Sequence, residues 1–566
     1  MDQRIQKWLS RDPDPITRNT LISLVQKQDT KTLDELFSGR LIFGTAGLRA
    51  AIGAGPMRMN RLVIRETTAG LATYVQKNIA HVKQRGFVVG YDGRLLSYEF
   101  AHDISCVLTG LGIKTYLFAS MQPTPLCAFA VLNLGAAAGV MVTASHNPRE
   151  YNGYKVYWEN GAQIIAPHDT GIANEIELAA NLEIPWCEQA FAKQQNLLVM
   201  LDKDIIERYL SQVKSLSRHP YTSIRSKLRI AYTPLHGVGA PLAEEALQRA
   251  GFTNVYTVAK QRAPDGNFPT TPFPNPEEPG VMDAVIALAN SKHAELVFAN
   301  DPDADRLAVA VRLQNGAYRK LSGNEIGILL GWDCMQNAPP NALVITSIVS
   351  SQLLGVMAKS LGVAYVETLT GFKWMANAAI NRKAQGACFL LGFEEAYGYT
   401  IGELVRDKDG ISAMVAFAEL AAVLANKGQS IIDLLEYIWR QYGIYVTEQR
   451  NIITDYTTLG KSLRAKPPTN IGNHSIINII DLLSPNEQNN IYNLPCDDVL
   501  IYELSDGTRI VVRPSGTEPK LKCYYELRDE IAKSESLEVA EKRAKQKLKL
   551  LADSHQNMLL KLIAKV

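Results

Sequence analysis

The stretch "LCAFAVLNLGAAAGVMVTASHNP" (126–148) contains no Asp, Glu, Lys or Arg. Its first 19 residues are long enough to span a membrane as a helix, but they are rich in Ala and Gly, include Asn133 and lack aromatic or basic anchors at their ends. We therefore predict a buried helix over 126–134, a turn at Gly135 and a buried parallel strand in "GVMVTA". The stretch then ends in a polar loop, "SHNP".

The same alternation extends over the first three-quarters of the chain. Short runs rich in Val, Ile and Tyr end in polar or glycine-rich loops, and helical patterns lie between them; the predicted strand-and-loop segments include 87–94, 115–120, 139–148, 228–239 and 294–306. Alternating strands and helices predict α/β domains with mixed or mostly parallel sheets. In such sheets ligands bind in the loops after the carboxyl ends of the strands.

The C-terminal part differs. "VLIYELSDGTRIVVRPSGTEPKLKCYYEL" (499–527) predicts a strand, an Asp-Gly turn and two more strands, and a charged helix follows from about Glu535 to Lys565. With 566 residues, three to five domains are expected. We predict α/β domains over 1–210, 211–322 and 323–445 and an α+β domain over 446–566. The Pro-rich segment 263–280 is predicted to be a long loop of the second domain.

Composition narrows the class of protein. The apolar fraction of 46%, the charged fraction of 20% and the net charge of +2 are ordinary for a globular protein and predict no nucleic-acid or membrane partner. Seven scattered cysteines without a C-x-x-C pattern argue against a disulfide framework or a zinc site and fit a reducing compartment. The N-terminal "DQRIQKWLSRDPDP" has no apolar signal core. We expect a cytoplasmic monomer or dimer.

The motif "DPDADR" (301–306) follows the predicted strand "ELVFAN". Asp301, Asp303 and Asp305 alternate along what we predict to be an extended segment. Three neighbouring carboxylates repel one another unless a cation lies among them, and oxygen ligands suit a hard ion such as Mg²⁺. An EF-hand is excluded, because Arg306 stands where that loop requires Gly. The alternative is a solvated acidic turn.

Four other motifs combine charges with glycine turns. In "RPSGTEPK" (513–520) an arginine, hydroxyls and exposed amides form the parts of a phosphate cradle, although a polar hairpin turn is an equal alternative. In "GFEEAYGY" (392–399) the paired carboxylates suit sugar hydroxyls or an acidic helix N-terminus. "GTAGLR" (44–49) and "VRDKDG" (405–410) place cations beside flexible turns, as phosphate binding or proton transfer requires.

Ser145 lacks the G-x-S-x-G pattern of an α/β-hydrolase, which argues against acyl transfer. His146 is its neighbour, and neighbours on a strand point to opposite faces, so no Ser-His dyad is assumed. A serine near metal-binding carboxylates and a phosphate cradle is better explained as a phosphoryl carrier. Lys155, in "YNGYK", is a candidate acid or base, because burial and nearby cations can lower a lysine pKa.

In this order, "TASHNP", "DPDADR", "GFEEAYGY" and "RPSGTEPK" resemble the motifs of the α-D-phosphohexomutase superfamily over nearly the whole chain. "FGTAGLR" and "RDKDG" resemble most the branch with phosphoglucomutase-2-type and phosphopentomutase enzymes. The resemblance implies four domains around a central cleft. It also implies a phosphorylated Ser145, with one Mg²⁺ held by Asp301, Asp303, Asp305 and that phosphoserine.

The resemblance further assigns roles to residues lining the cleft. Lys155, the first candidate for proton transfer, is joined in the catalytic set by His146, Arg49 and Lys408. The substrate-binding set is Glu394 for sugar hydroxyls, Lys373 and Arg306, together with Arg513, Ser515, Gly516, Thr517 and Lys520 for the non-reacting phosphate. A sugar bisphosphate is the implied intermediate and activator.

One position departs from the hexose-specific pattern: Ala396 stands where those members carry Ser in Glu-x-Ser. Losing a hydroxyl contact removes about 1 kcal/mol, which favours pentose phosphates as further substrates. The first expectation is interconversion of glucose 1-phosphate and glucose 6-phosphate. Alternatives are a phosphopentomutase acting on ribose or deoxyribose 1-phosphate, a sugar 1,6-bisphosphate synthase, a metal-dependent phosphatase, and a non-catalytic sugar-phosphate-binding protein.

Overall fold

The chain divides into two units in the computed structural model, which describes residues 2–44, 47–454, 456–483, 494–514 and 520–564. Unit 1 comprises Met1–Ser322 and Ala396–Asn426, and unit 2 comprises Gly323–Glu395 and Lys427–Val566. The segment 396–426 lies within the range predicted for the third domain, and it packs in unit 1.

The first sheet of unit 1 has six strands, β1 (Leu48–Ala51), β2 (Phe87–Tyr91), β3 (Thr115–Phe118), β4 (Ala138–Val142), β5 (Tyr151–Trp158) and β6 (Leu198–Leu201). Their order is β1-β5-β4-β2-β3-β6; β5 is antiparallel to both neighbours, and the strands from β4 to β6 in that order are parallel. The accompanying helices are α1 (Gln3–Arg11), α2 (Pro15–Gln26), α3 (Thr30–Leu36), α4 (Arg61–Asn78), α5 (Val82–Arg85), α6 (Ser97–Gly110), α7 (Thr124–Leu134), α8 (His168–Ala179), α9 (Gln189–Gln194) and α10 (Lys203–Ser215).

The second sheet of unit 1 contains β7 (Arg229–Thr233), β8 (Asn254–Thr257), β9 (Leu296–Ala299), β10 (Ala308–Arg312) and β11 (Tyr318–Lys320), in the order β11-β10-β9-β7-β8. Strands β9, β7 and β8 are parallel, and β10 and β11 are antiparallel additions. Its helices are α11 (Ala240–Arg249), α12 (Ala259–Arg262) and α13 (Asp283–Lys292), with the predicted Pro-rich loop between the last two. Unit 1 also includes segment 396–426, which contains β15 (Gly398–Ile401) and α17 (Gly410–Asn426). Strand β15 is not part of the second sheet.

Unit 2 begins with α14 (Gly323–Met335), β12 (Ala342–Ser347), α15 (Leu353–Ser360), β13 (Ala364–Thr368), α16 (Phe372–Ala384) and β14 (Cys388–Glu394), and β12 pairs in parallel with β13 and β14. It continues with α18 (Ile431–Tyr442), β16 (Ile444–Ile453), α19 (Tyr456–Ala465), β17 (Asn470–Ile471), β18 (His474–Asp481), β19 (Leu500–Leu504), β20 (Arg509–Pro514), β21 (Lys520–Asp529) and α20 (Leu537–Ile563). The strands β16 to β21 form an antiparallel sheet in the order β16-β21-β20-β19-β18-β17.

The uncharged stretch folds as its pattern predicts. Helix α7 is followed by Gly135, whose φ of 61° places it in the left-handed region that ends helices without a Cβ penalty. All five residues of β4 are buried, as expected for a parallel strand covered on both faces. The loop that carries Ser145 therefore starts from a firmly packed strand end.

Among the described residues, no single helix is long and apolar enough to span a membrane. Helices α17 and α18 meet that length and hydropathy criterion only when taken together. Most residues of α17 are buried within the protein.

Candidate active site

Two loops of unit 1 meet at the carboxyl ends of β4 and β9. Ser145 is buried after β4, and Asp301, Asp303 and Asp305 are buried after β9. The predicted extended segment was wrong: residues 301–305 form a turn in which Ala304 has a φ of 53°. Ser145 is also left-handed, with a φ of 52°. Such conformations are unfavourable for non-glycine residues and cluster at functional sites.

Ser145 contacts both its sequence neighbour and the carboxylate turn. Its Oγ donates to Asp301 Oδ2 at 2.6 Å and lies 3.2 Å from His146 Nδ1. No Ser-His dyad is assumed from the sequence, yet the two side chains lie in contact, because β4 ends at Val142 and the loop that follows does not alternate like a strand. Burial and the guanidinium of Arg306 lower the pKa of His146 well below its usual value, so its ring is neutral at physiological pH.

Two lysines neutralise part of the negative charge. Lys155 Nζ lies 2.7 Å from Asp303 Oδ2 and 3.0 Å from Asp305 Oδ2, and Lys408 Nζ lies 2.8 Å from the same Asp305 oxygen. Burial by itself lowers the pKa of Lys155, but Asp303 and Asp305 outweigh it and raise the pKa above its usual value. The predicted downward shift was wrong, because the nearest charges to Lys155 are anions.

The carboxylates retain acceptor capacity. Within the described ranges, Asp303 Oδ1 and Asp305 Oδ1 are buried and accept no hydrogen bond. One oxygen from each of Asp301, Asp303 and Asp305 lies within 4.8 Å of the others. Unsatisfied buried carboxylate oxygens are costly, and an all-oxygen set of this size fits a hard divalent cation. The turn can therefore bind a metal ion.

Arg94, which the sequence interpretation missed, holds the loop that connects β4 to β5 and carries Ser145, called the serine loop below (residues 143–151). Its buried guanidinium donates to the carbonyl oxygens of Ser145 at 2.6 Å, Pro148 at 2.9 Å and Tyr151 at 3.1 Å, and also to that of Asn147. Four backbone carbonyls of one loop thus converge on one side chain. The signal was the charged "DGR" directly after β2, beside β4 in the same sheet.

Thr124 and Gly237, also missed, hold the carboxylate turn. Thr124 Oγ1 donates to Asp303 Oδ2 at 2.6 Å, and its backbone N–H donates to Asp303 O at 2.9 Å. A Cβ on Gly237 would lie 2.3 Å from Pro302 Cα, so only glycine permits this approach. Val238 N–H donates to Pro302 O at 2.9 Å.

Two further predicted residues lie in unit 1. Arg49 Nη1 donates to Asn147 Oδ1 at 3.0 Å, which attaches its side chain to the serine loop. Arg306 forms an ion pair with Glu277 of the Pro-rich loop at 3.4 Å. The catalytic set predicted from sequence is thus brought together within this unit.

The remaining predicted residues belong to unit 2. Glu394 is buried at the end of β14, and its Oε1 accepts the Gly371 N–H at 2.6 Å. Lys373 lies on α16, with Nζ 5.8 Å from the Trp374 ring centre. Arg513 lies near the end of β20, and Lys520 begins β21. The other members of the predicted phosphate cradle, Ser515, Gly516 and Thr517, fall outside the described residues.

Comparison with solved structures identifies the class of fold. A phosphoglucomutase/phosphomannomutase family protein from Burkholderia thailandensis superposes with a TM-score of 0.69 at 21% identity, over 92% of this chain and 97% of that chain. This likeness shows the fold that the four α/β and α+β domains define.

Sequence comparison is more specific. Models of the phosphoglucomutase/phosphomannomutase alpha/beta/alpha domains I, II and III match residues 40–182, 207–315 and 322–442, and the C-terminal domain model matches residues 484–543. The phosphopentomutase of Homo sapiens is 38% identical over 561 residues, covering 93% of this chain and 91% of that protein. The glucose 1,6-bisphosphate synthase of Mus musculus is 34% identical over 557 residues, covering 93% and 90%.

The chain belongs to the phosphoglucomutase/phosphomannomutase family. The predicted resemblance to the superfamily and the predicted class of four-domain α/β fold are confirmed. The prediction of an isomerase-type phosphotransferase is confirmed at the level of the family.

Proposed function

We propose that the protein is a phosphosugar mutase that exchanges a phosphoryl group between O1 and the terminal oxygen of an aldose, with glucose 1-phosphate and glucose 6-phosphate as one substrate pair. The observation that carries this proposal is the buried Ser145 hydroxyl, which lies 2.6 Å from an aspartate of a turn with unsatisfied carboxylate oxygens. Acyl transfer does not require such a turn, whereas phosphoryl transfer requires cations beside the transferring group.

In the proposed reaction, the Oγ–P bond of phospho-Ser145 breaks as the free terminal hydroxyl of the sugar 1-phosphate attacks phosphorus. The proton of the sugar hydroxyl passes to solvent, and the departing serine oxygen takes up a proton. In the reverse transfer the neutral His146 ring, 3.2 Å from Oγ, can accept the serine proton as Oγ attacks, and the imidazolium formed in this way can return that proton when Oγ next departs. The resulting bisphosphate then presents its O1 phosphoryl group to Ser145, and the reverse transfer regenerates the phosphoenzyme.

The side chains around the serine provide the electrostatic environment. The raised pKa of Lys155 keeps its ammonium charged beside the reacting group, and Lys408 adds a second positive charge at Asp305. Asp301, Asp303 and Asp305 would hold Mg²⁺, which supplies further charge neutralisation when bound. We assign Glu394 and Lys373 to sugar contacts and Arg306, Arg513 and Lys520 to phosphate contacts.

The test is Ser145→Ala. We expect mutase activity to be lost, because no other hydroxyl would carry the phosphoryl group, and we expect the phosphorylated species to disappear from the intact-protein mass spectrum. Ser223→Ala, at an exposed serine, is the matched control and should retain both. Full mutase activity in Ser145→Ala would overturn the proposal, and release of free phosphate without isomerisation would indicate a phosphatase.

A pentose phosphate is the second candidate substrate. Ala396 supplies no hydroxyl at the position where the family resemblance implies a serine in hexose-specific members, and a phosphopentomutase is among the similar proteins. This second candidate requires kcat/KM for ribose 1-phosphate to exceed that for glucose 1-phosphate, and we expect Ala396→Ser to move the ratio towards glucose by about fivefold. An unchanged ratio in Ala396→Ser would exclude this position as the determinant of sugar choice.

A further inference from the structure

Asp407, a buried carboxylate next to Lys408, has no role in the assignments above. Its Oδ2 accepts hydrogen bonds from Tyr157 Oη at 2.8 Å and from Gln163 Nε2 at 2.7 Å. Its Oδ1 accepts the backbone N–H of Lys408 at 2.8 Å and lies 3.7 Å from Lys408 Nζ. The two oxygens thus have different partners: Oδ2 accepts from Tyr157 and Gln163, and Oδ1 faces Lys408.

The position of Tyr157 gives this arrangement its significance. Tyr157 and Lys155 are two residues apart on β5, so their side chains lie on the same face of the strand. Lys155 extends to Asp305, while Tyr157 extends to Asp407. Lys408 contacts the same Asp305 oxygen as Lys155 does. Side chains of one strand therefore contact both Asp305, through Lys155, and Asp407, through Tyr157.

We propose that Asp407 is a positioning residue for phosphoryl transfer, which connects Tyr157 and Gln163 to Lys408 and holds the Lys408 ammonium at Asp305. This inference rests on the proposed mutase function. A lysine side chain has many rotamers, and its ordering has an entropic cost that a fixed, buried anion beside it offsets. Asp407 has no hydrogen bond to Ser145 or to the other aspartates in the described structure. Its charge also acts on Lys155 from a distance, but Lys408 is the lysine whose ammonium it faces at 3.7 Å.

Asp409, two residues further on, provides the matched control. It is also buried, and it accepts hydrogen bonds from Tyr209 Oη at 2.9 and 3.0 Å and from the N–H groups of Ile411 and Ser412. These bonds anchor the start of α17 and involve no cation. Asp409→Asn should therefore lower the thermal midpoint and leave kcat within about twofold of the wild-type value.

The experiment is a double-mutant cycle between positions 407 and 408. Asp407→Asn keeps the shape of the side chain and can still accept from Tyr157, but it removes the negative charge beside Lys408. We expect kcat to fall about tenfold while KM for the sugar phosphate stays within about twofold. In a Lys408→Met background, Asp407→Asn should have no further effect on kcat, because the group that it positions is gone.

If Asp407→Asn lowered kcat by the same factor in the presence and in the absence of Lys408, the inference would be overturned. An unchanged kcat in the folded Asp407→Asn variant would overturn it as well. Tyr157→Phe serves if Asp407→Asn does not fold: it removes one donor to Asp407 and should lower kcat about threefold, again only when Lys408 is present. The Ser145→Ala result separates the two proposals. If Ser145→Ala is inactive but the cycle shows no coupling, the mutase function stands and the positioning role fails.

Discussion

Two buried groups of charges in this protein differ in how fully their carboxylate oxygens are hydrogen-bonded. In the carboxylate turn of unit 1 (Asp301, Asp303 and Asp305), two carboxylate oxygens accept no hydrogen bond among the described residues. In the Arg509 cluster of unit 2 (Arg509, Glu367 and Glu526), Arg509 donates to both oxygens of Glu367 at 3.1 and 2.9 Å.

Glu526 in the same cluster accepts the Gln352 N–H at 3.0 Å. Leaving buried acceptors unsatisfied is costly. A protein that keeps them at one place and satisfies them at another separates ligand binding from structural support. Substitutions should therefore have opposite effects on activity and stability in the two clusters.

The largest expected effect is on activity, in the carboxylate turn. Burial and repulsion from Asp303 and Asp305 raise the pKa of Asp301, so its charge is unfavourable in the absence of a cation. Asp301→Asn should lower kcat at least about a thousandfold through lost charge and metal ligation. Its thermal midpoint in EDTA should equal or exceed that of the wild type, and the stabilisation by added Mg²⁺ should disappear. A variant that melts far below the wild type in EDTA would contradict the comparison.

The Arg509 cluster should respond in the opposite sense. Arg509→Met leaves Glu367 buried without its bidentate partner, which should cost about 4 kcal/mol and lower the thermal midpoint by about 10 °C. Replacing both residues, as in Arg509→Met with Glu367→Met, should recover much of that loss, because Glu367 no longer remains as a buried charge without its bidentate partner; Glu526 is present in both variants. The measurement is thermal unfolding at neutral pH. A single variant as stable as the double variant would show that the ion pair is not structural.

The third prediction concerns pH. Burial raises the pKa of Glu526 from 4.5 to about 7. A carboxyl whose folded-state pKa is raised contributes most stability below about pH 4.5, and this contribution falls by about 3 kcal/mol as pH rises through 7. Glu526→Gln should therefore be more stable than the wild type at pH 8.5 and close to it at pH 5. Parallel pH profiles of the two thermal midpoints would contradict this sign.

The sequence was sufficient for the class of fold and for the two loops that meet at the candidate site. Apolar runs marked the strands, and the polar residues directly after β4 and β9 identified the loops that meet. Side-chain patterns could not reveal the left-handed turn at Ala304, because alanine has no preference for it. Nor could they separate Asp407, which faces a lysine, from Asp409, which anchors a helix. These distinctions depend on tertiary contacts with Tyr157 and Tyr209, which lie far away in the sequence.

Arg94 combines features of both groups of charges, since it supports the loop that carries Ser145 but, like Arg509, is a buried arginine that donates several hydrogen bonds. Its guanidinium donates to four carbonyl oxygens between Ser145 and Tyr151. Every residue has a backbone carbonyl, so this contact could not be predicted from the pattern of side chains. Arg94→Lys keeps the charge but cannot reach all four acceptors with one ammonium, so some buried carbonyls lose their donor. We expect a loss of about 2 kcal/mol in stability and a fall in kcat of about tenfold, measured by thermal unfolding and mutase assay.

The two readouts decide what Arg94 contributes. A loss of stability with kcat unchanged would mean that the loop keeps Ser145 in place without the guanidinium. Arg94 would then have a purely structural role, like the Arg509 cluster. A fall in kcat together with the loss of stability would mean that the left-handed conformation of Ser145 depends on the carbonyl contacts. We expect the second result, because the Ser145 carbonyl is itself one of the four acceptors. A relaxed loop would move Oγ away from Asp301.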